Sequence, residues 1–405
     1  MKWNHSATLL ILAGSLLLGG CGTPPEPTTL PQPTQTEASL PLTTAEPETT
    51  APTTEPDPIL EAGPQVTVDR QAMDSVLYED TVYVSASAFL KAAEELEYEG
   101  TDAEGYLAVK EGHTYEFRPN GIPCLVDGAE AALEHPVISN YGTLYLPLEQ
   151  VCRQLNISVL DDRAEFDHLY CTTSAGKLGP VEQGVHIPIL MYHAVSDDNI
   201  WGIRELFVSP SDLEAQVKYL VDNGYEPITF EDWDHLEDFE KPVMLTFDDG
   251  YKDNFTEAYP ILQKYNCKAT FFIIPYSVDK LDHSLTSEMC QELAESDLIS
   301  VQSHTLSHPM LDECNEDQLK AEIAGSKLWM ARITGEEPFV LCYPSGRSNA
   351  RVRELTRENF QFGVQMNGGT YTTTDQNIDN ITRIYISRYT TLGEFASYIR
   401  GAGRD

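Results

Sequence analysis

Basic residues are scarce in this chain. Its 405 residues include 26 Lys and Arg against 64 Asp and Glu, which gives a formal net charge of −38 at pH 7. Phosphate backbones and anionic lipid headgroups attract cationic surfaces, so this balance argues strongly against a protein built to hold nucleic acid. It favours neutral or cationic partners.

Cysteine is also scarce, with eight residues and no C-x-x-C pair. This spacing excludes a disulfide-stapled mini-domain and a four-thiolate zinc site. Apart from Cys21, seven scattered cysteines remain, and an odd number cannot all pair internally. We interpret them as mostly buried, non-functional thiols, and the sequence leaves open whether one or more disulfides form.

The apolar run near the N-terminus is too short to span a bilayer. It extends from Ala7 to Leu18, about 12 residues, whereas a transmembrane helix needs about 20. Lys2 precedes the run and small residues end it, which is typical of a signal peptide over residues 1–20.

The residues Leu18-Gly19-Gly20-Cys21 resemble a bacterial lipobox. This resemblance implies cleavage before Cys21 and a diacylglycerol group on its sulfur. Two acyl chains suffice for stable anchoring, so the protein is expected at the outer face of the bacterial cell membrane. An ordinary secretory signal with a chance cysteine is the alternative.

Residues 21–63 are rich in Thr, Pro and Glu and have almost no large apolar side chain. Such a segment cannot bury enough surface to offset the entropy lost on ordering, so we predict a disordered tether. A Pro-rich chain extends at about 3.1 Å per residue, which gives a reach on the order of 100 Å from the membrane.

An internal repeat marks residues 64–170. The segments Val82–Ala86 and Leu144–Leu148 align as short strands, and apolar residues at helical spacing follow each of them. Further short strands are predicted at Tyr106–Val109 and Thr114–Phe117. The pattern resembles the small α+β stalk domain first named from the N-terminus of copper amine oxidases. The resemblance implies contact with the wall, a polymer or a protein, and no copper.

Apolar runs alternate with helical patterns through residues 185–405. Strands are predicted at Ile187–Met191, Val243–Phe247, Ala269–Ile274, Leu298–Val301, Phe339–Tyr343, Phe362–Met366 and Arg383–Ile386. Helices are predicted at Ser209–Asp222, Asn254–Tyr265, Ser287–Glu295, Glu316–Ile333 and Asn349–Asn359. The alternation favours parallel βαβ units in an open α/β sheet or a β/α barrel. In barrels the chemistry lies where the strands end.

Two carboxylates follow one of these strands. Val243–Phe247 leads directly into Asp248 and Asp249, in the sequence TFDDG. Side chains alternate faces along a strand, so both can face one site only if the backbone turns, which Gly250 makes easy. Alone, such a triplet is often a solvated turn.

Two histidines follow another strand. Leu298–Val301 leads to His304 and His308, which one helical turn would bring to the same ion. Two histidines and one aspartate form a common metal set that leaves positions open for water and substrate. Zn²⁺ is the default ion, and the set also accepts Co²⁺, Ni²⁺ or Fe²⁺.

These residues resemble the first two motifs, TFDDG and H-[ST]-x-x-H, of the polysaccharide deacetylase family, the carbohydrate esterases of family four. The resemblance implies that Asp248 is the general base and that Asp249, His304 and His308 hold a divalent metal. The family's third motif falls on the sequence CYPSG at 342–346. There the backbone N–H of Ser345 would contribute to the oxyanion hole.

Two features of the usual family pattern are missing, the Arg before the third motif and the C-terminal Leu-x-His. The sequence HIPILMYHAV at 186–195 resembles instead the circularly permuted branch that includes poly-N-acetylglucosamine deacetylases. In that branch the catalytic histidine lies on the first strand, so the role falls on His193. Arg388 is expected to replace the missing Arg and orient a carboxylate. The implied fold is α/β, a distorted (β/α) barrel preceded by the small α+β stalk.

The predicted activity is metal-dependent removal of N-acetyl groups from an N-acetylglucosamine-containing cell-surface or extracellular polysaccharide. An O-acetyl polysaccharide esterase would use the same residues and remains open. The other alternative is a non-catalytic wall-binding lipoprotein with a dead esterase fold, which the complete residue set disfavours. A retaining glycosidase needs carboxyl groups about 5–5.5 Å apart that flank the glycosidic bond, which adjacent aspartates beside two histidines do not suit.

Overall fold

The computed structural model describes residues 59–119, 124–131, 133–173, 184–198, 202–366, 368–375 and 377–404. The predicted signal peptide, Cys21 and most of the predicted tether lie outside these residues. Within the described ranges, no helix is both long enough and apolar enough to cross a membrane. The seven described cysteines are free thiols, and all except Cys314 are buried.

The N-terminal part, residues 59–173, is built mainly from antiparallel strands. Its strands are Glu61–Ala62, Gln65–Val68, Gln71–Met73, Ser75–Tyr78, Thr81–Ser85, Glu97–Thr101, Gly105–Lys110, His113–Phe117, Leu125–Val126, Ala129–Glu130, Ile138–Asn140, Thr143–Pro147, Ser158–Asp161 and His168–Thr172. Its helices are Ala86–Ala92, Leu148–Leu155 and Arg163–Phe166.

The strand–helix repeat predicted from the sequence is present in this part. Strands Thr81–Ser85 and Thr143–Pro147 pair with each other in antiparallel register, and a helix follows each one directly. The apolar faces of both helices pack into one core with the strands, including Phe89, Leu90 and Val151. Each copy therefore buries its apolar face against the other, as expected for a repeated unit.

The C-terminal part, residues 184–404, contains a curled parallel sheet. Along the sheet the strands are ordered Phe362–Val364, Val340–Cys342, Ile299–Ser303, Ala269–Ile273, Pro242–Phe247, Ile189–Tyr192 and Ile384–Tyr385, and Glu226–Ile228 also pairs with Pro242–Phe247. Ile381, just before the last strand, makes an isolated parallel bridge to Val364 at the opposite edge of the sheet. The sheet therefore curls toward closure, which agrees with the predicted α/β class.

The sequence predicted these strands well because they are buried on both faces. Every residue of Pro242–Phe247 and of Ala269–Ile273 is buried, so both strands read as continuous apolar runs. Short strands outside the curled sheet lie at Val185–Ile187, Ala194–Val195, Phe207–Val208, Tyr371–Thr372 and Gly403–Arg404.

Helices connect the parallel strands. The α-helices are Pro210–Asp222, Tyr259–Tyr265, Ser287–Ala294, Glu316–Thr334, Ala350–Asn359 and Leu392–Tyr398. The longest of these begins at a capping box between Asn315 and Gln318 and ends at Gly335, whose φ of 80° is left-handed. A π-helical turn, Asn254–Ala258, precedes Tyr259–Tyr265. The 3₁₀ turns are Arg204–Leu206, Phe230–Asp238, Pro275–Ser277, Leu311–Glu313, Pro344–Gly346 and Thr373–Asp375.

The described residues of the two parts pack together within one compact unit. Arg332 donates to Asp162 at 2.7 and 2.9 Å and to Glu165 at 2.8 Å. Arg70 pairs with Glu336 at 3.2 Å. Arg332 and Glu336 both precede strand Val340–Cys342, so the N-terminal part lies against the amino ends of the parallel strands. A cavity of about 840 Å³ lies at this junction.

Candidate active site

The TFDDG sequence forms a turn at the carboxyl end of strand Pro242–Phe247. The Asp248 N–H donates to the Tyr192 carbonyl at 3.0 Å, which continues the pairing with the neighbouring strand. Asp249 then adopts a left-handed φ of 73°, and Gly250 follows at 69°. The turn expected at Gly250 thus begins one residue earlier, at an aspartate, a residue type that tolerates this conformation.

Asp248 is held by an arginine inside the curled sheet. Nη1 and Nη2 of Arg383 donate to its two carboxylate oxygens, each at 2.7 Å. Arg383 is 1% exposed, and it also donates to Gln365 O and to Thr246 Oγ1, each at 2.9 Å. Burial alone would raise the pKa of Asp248, but the Arg383 guanidinium holds that pKa below its ordinary value. Asp248 is therefore an oriented, ionised carboxylate.

The prediction that Arg388 orients a carboxylate is wrong. Its guanidinium donates to three backbone carbonyls, those of Ser196 at 3.3 Å, Asp197 at 3.2 Å and Phe207 at 3.1 Å. Arg388 thus joins the segment at Ser196 and Asp197 to Phe207. Arg383 is the residue that orients Asp248. Arg383 is the first residue of the predicted strand Arg383–Ile386, but the sequence does not show that its side chain is buried. A buried charge needs a partner, so only the structure identifies Arg383 as the partner of Asp248.

The two predicted histidines converge on Asp249. Nε2 of His304 lies 3.4 Å from Asp249 Oδ1, and Nε2 of His308 lies 3.5 Å from the same oxygen. The segment between them is not the helical turn that the spacing suggested. Thr305 and His308 each have a left-handed φ of 64°, and the His308 N–H donates to Thr305 Oγ1 at 3.1 Å. A looped backbone brings the imidazoles together.

These three side chains fit a divalent cation. Nδ1 of His304 lies 2.9 Å from the Cys342 carbonyl oxygen, which only accepts, so Nδ1 carries a proton and Nε2 is the ring atom that faces Asp249. An unprotonated Nε2 is repelled by a carboxylate oxygen unless a positive charge, a proton or a metal ion, lies between them. Neighbouring ligands of an ion bound at about 2.0–2.1 Å lie about 3.0–3.5 Å apart, which the observed spacing matches.

The electrostatics of the cluster favour a cation. Burial alone would raise the pKa of Asp249. The hydrogen bond to His304 and the charges of His304, His193 and His308 more than offset burial and hold this pKa well below its ordinary range. Burial lowers the pKa of His304, yet Cys342, Asp249 and Asp248 more than offset this and raise the pKa well above its usual value. A field that favours a proton on His304 also favours a metal ion in its place.

His193 lies at the same end of the sheet. It follows strand Ile189–Tyr192, which pairs in parallel with the strand that ends at Asp248. Burial lowers the pKa of His193, while the charges of Asp248 and Asp249 act in the opposite direction. The imidazole is buried, and its Nδ1 has no hydrogen-bond partner among the described residues. His193 and Asp248, the predicted acid and the predicted base, thus directly follow neighbouring parallel strands.

Ser345 also lies at a carboxyl end, in the turn after strand Val340–Cys342. It has a left-handed φ of 55°, and the Gly346 N–H donates to the Tyr343 carbonyl at 2.9 Å. A Cβ on Gly346 would come within 2.5 Å of Met366 Cβ, so this turn requires a glycine there. The use of the Ser345 N–H as an oxyanion donor stays a prediction.

Comparison with known proteins agrees with this geometry. Residues 236–361 match the family described as polysaccharide deacetylase. The "Putative polysaccharide deacetylase YxkH" of Bacillus subtilis (strain 168) is 34% identical over 224 residues, which cover 54% of this chain and 77% of that protein. The chain belongs to the polysaccharide deacetylase family.

Two further proteins, one relative and one solved structure, are similar to this chain. The "Poly-beta-1,6-N-acetyl-D-glucosamine N-deacetylase" of Escherichia coli (strain K12) is 24% identical over 257 residues, 52% of this chain and only 38% of that protein. A solved polysaccharide deacetylase from Bacillus cereus aligns with a TM-score of 0.51 at 25% identity, and covers 75% of this chain and 99% of its own. Residues 185–405 alone cannot supply that coverage, so the alignment extends into the N-terminal part.

Proposed function

We propose that this protein is a divalent-metal-dependent hydrolase that removes N-acetyl groups from an N-acetylglucosamine-containing cell-surface or extracellular polysaccharide. The observation that carries this proposal is the convergence of Asp249, His304 and His308 beside an Asp248 carboxylate that Arg383 orients. The named activity of the Escherichia coli relative supports the substrate class.

Asp249, His304 and His308 would hold the ion, through one carboxylate oxygen and two imidazole nitrogens. Zn²⁺ suits this donor set, and Co²⁺ or Ni²⁺ would also bind. When bound, such an ion supplies Lewis acidity, which activates water and polarises an acyl carbonyl. The hydrogen bond from His304 Nδ1 to the Cys342 carbonyl fixes the ring so that Nε2 is the ligand atom.

Asp248 acts as the general base. It accepts a proton from the water that attacks the acetyl carbon, and its ionised form is available at neutral pH because Arg383 keeps its pKa low. The two hydrogen bonds from Arg383 also fix the carboxylate plane, so the accepting oxygen does not have to be reoriented during the reaction.

His193 acts as the general acid. An amide nitrogen is a poor leaving group and needs a proton as the carbon–nitrogen bond breaks, and an imidazole can supply one near neutral pH. The Ser345 N–H donates to the oxygen that becomes negatively charged when water adds to the carbonyl. Loss of one such donor typically costs about 3 kcal/mol of transition-state stabilisation.

The N-terminus would determine where this chemistry takes place. We propose that a lipid on Cys21 anchors the protein to the outer face of the cell membrane, and that residues 21–63 serve as the tether. The N-terminal part would contact the wall, a polymer or another protein. The lipobox-like sequence and the composition of the tether support this arrangement.

Acetate release from a panel of glycans tests the proposal. The panel contains chitin oligomers, β-1,6-linked N-acetylglucosamine oligomers, peptidoglycan and acetylated xylan, each with and without a chelator and with Zn²⁺ restored. We expect chelator-sensitive release from an N-acetylglucosamine polymer, and none from the Asp249→Ala control. Release from acetylated xylan alone would favour the O-acetyl esterase, and no release from any glycan would favour the non-catalytic alternative.

A further inference from the structure

The backbone around His193 is held from both sides by two neighbouring side chains. Nδ2 of Asn254 donates to the His193 carbonyl at 2.7 Å. The Val195 N–H donates to Asp253 Oδ1 at 2.9 Å. Asn254 is completely buried, so its hydrogen bond to His193 is shielded from competing water.

The imidazole of His193 has no comparable polar support. Its Nδ1 is buried without a hydrogen-bond partner among the described residues. Its ring neighbour is Tyr385, edge-on, with ring centroids 6.2 Å apart and planes at 83°. Catalytic imidazoles are commonly oriented by a hydrogen bond to one ring nitrogen. Here the direction of the ring depends on the backbone from which it projects and on the packing of Tyr385.

The two supporting residues belong to the same segment as the base and a predicted metal ligand. Asp253 and Asn254 follow the TFDDG turn, and Asn254 begins the π-helical turn Asn254–Ala258, a type of turn frequent at functional sites. Three hydrogen bonds therefore join residues 248–254 to residues 192–195: Asp248 N–H to Tyr192 O, Asn254 Nδ2 to His193 O, and Val195 N–H to Asp253 Oδ1.

We propose that Asn254, assisted by Asp253, is a positioning residue that fixes the His193 backbone so that its imidazole meets the leaving nitrogen. This assignment rests on the proposed function, because it gives Asn254 a role only if His193 donates a proton. The segment that carries the base thereby also sets the place of the acid. A displacement of about 1 Å of a catalytic group can lower a rate about 100-fold.

The test compares two substrates in the full-length protein loaded with Zn²⁺. Asn254→Asp keeps the shape of the side chain but replaces the donor to His193 O by a carboxylate oxygen. We expect kcat for an N-acetylglucosamine oligomer to fall on the order of 10- to 100-fold with little change in KM. An activated aryl acetate, whose leaving group needs no proton, should lose less than about threefold. Zn²⁺ content and Tm are measured in parallel.

A double substitution provides the second readout. Because Asn254 acts through His193, Asn254→Asp in a His193→Ala background should lower the rate no further. Asn359→Asp is the matched control, since Asn359 Nδ2 donates to the Leu355 carbonyl at 2.8 Å in a helix that carries none of the proposed catalytic groups. That control should leave both substrates unaffected.

Asp253 supplies an independent pair of variants if Asn254→Asp does not fold. Asp253→Ala removes the acceptor of the Val195 N–H and should show the same dependence on the leaving group. Asp253→Asn keeps an accepting oxygen and should lose less activity than Asp253→Ala. Equal losses on both substrates, or losses that add in the His193→Ala background, would overturn the positioning role. A wild-type protein with no N-acetyl turnover would overturn the proposed function, and this assignment with it.

Discussion

The Asp248 carboxylate and the Arg383 guanidinium form a two-point ion pair inside the curled sheet, with both N–O distances at 2.7 Å. Both partners are buried, so the stability of the pair depends on its geometry and on the further hydrogen bonds of Arg383 to Gln365 and Thr246. Removal of one partner would leave the other charged, buried and unpaired.

The first prediction concerns the pH dependence that follows from this pair. Arg383 lowers the pKa of Asp248, so wild-type activity should persist to lower pH than that of Arg383→Met, in which Asp248 takes up a proton at higher pH. The acidic limb of kcat/KM against pH should therefore move upward in the variant, and Arg388→Lys should not move it. An unmoved limb in Arg383→Met would contradict the role of Arg383.

The same pair also affects stability. A carboxyl group whose pKa is lowered by folding stabilises the protein above its unfolded-state pKa, and this contribution is lost as the pH falls through the lower folded value. Arg383→Met breaks a buried pair, which typically costs about 3–5 kcal/mol of unfolding free energy at neutral pH. Urea unfolding at several pH values measures both effects.

The second prediction separates the metal ligands from the base. Asp249→Ala, His304→Ala and His308→Ala should each lose both ion and activity, because two protein ligands rarely hold a hydrolytic metal firmly. Asp248→Asn should keep the ion and lose turnover. Bound-metal stoichiometry by elemental analysis checks each variant, and metal loss in Asp248→Asn would reverse the two aspartate assignments.

The third prediction concerns His193. His193→Ala should fold and bind metal normally, yet turn over the N-acetyl substrate on the order of 10²–10⁴-fold more slowly. An activated acetyl ester should be affected much less. Equal losses on both substrates would point to a structural role, and an unimpaired variant would remove His193 from the mechanism.

The fourth prediction concerns the junction between the two parts of the chain. Asp162→Asn should lower Tm, because it leaves the Arg332 guanidinium without its buried carboxylate partner. It should leave kcat on short soluble oligomers unchanged, since Arg332 lies at the amino ends of the strands and the proposed catalytic groups lie at the carboxyl ends. A large fall in kcat with unchanged Tm would argue against this separation.

The fifth prediction concerns Cys21. Cys21→Ser should leave the protein exported but without lipid, so the variant should move from the membrane fraction to the medium or wall fraction. Metabolic labelling with a fatty acid should mark the wild type and not the variant. Retention of the variant in the membrane fraction would show that another feature anchors the protein.

Much of the parallel sheet could be read from the sequence because its central strands are buried on both faces and appear as apolar runs between helical patterns. The residues that meet at the site were predictable for a related reason. Asp248 and Asp249 directly follow one strand, His304 directly follows another and His308 comes four residues later. Parallel strands bring their carboxyl ends to one edge of the sheet.

Other features depend on information that a local pattern does not carry. Strand Ile384–Tyr385 is too short for the alternation of side chains to show which nearby arginine points inward. The sequence therefore did not show that Arg383, and not Arg388, is the partner of Asp248. The helical spacing of His304 and His308 concealed a loop, because left-handed φ values at Thr305 and His308 leave little trace in residue type. The Arg332–Asp162 contact joins residues far apart in the chain, with no periodic signal.

Asp249, Thr305, His308 and Ser345 all have a left-handed backbone, which lowers the stability of the fold. A side chain held in that conformation typically costs on the order of 1 kcal/mol or more, and glycine would remove most of this penalty. Two of these four residues, Asp249 and His308, carry side chains that are proposed to bind the metal. Selection for heat resistance alone would favour glycine at these two positions, and a variant with both glycines would be more stable but inactive.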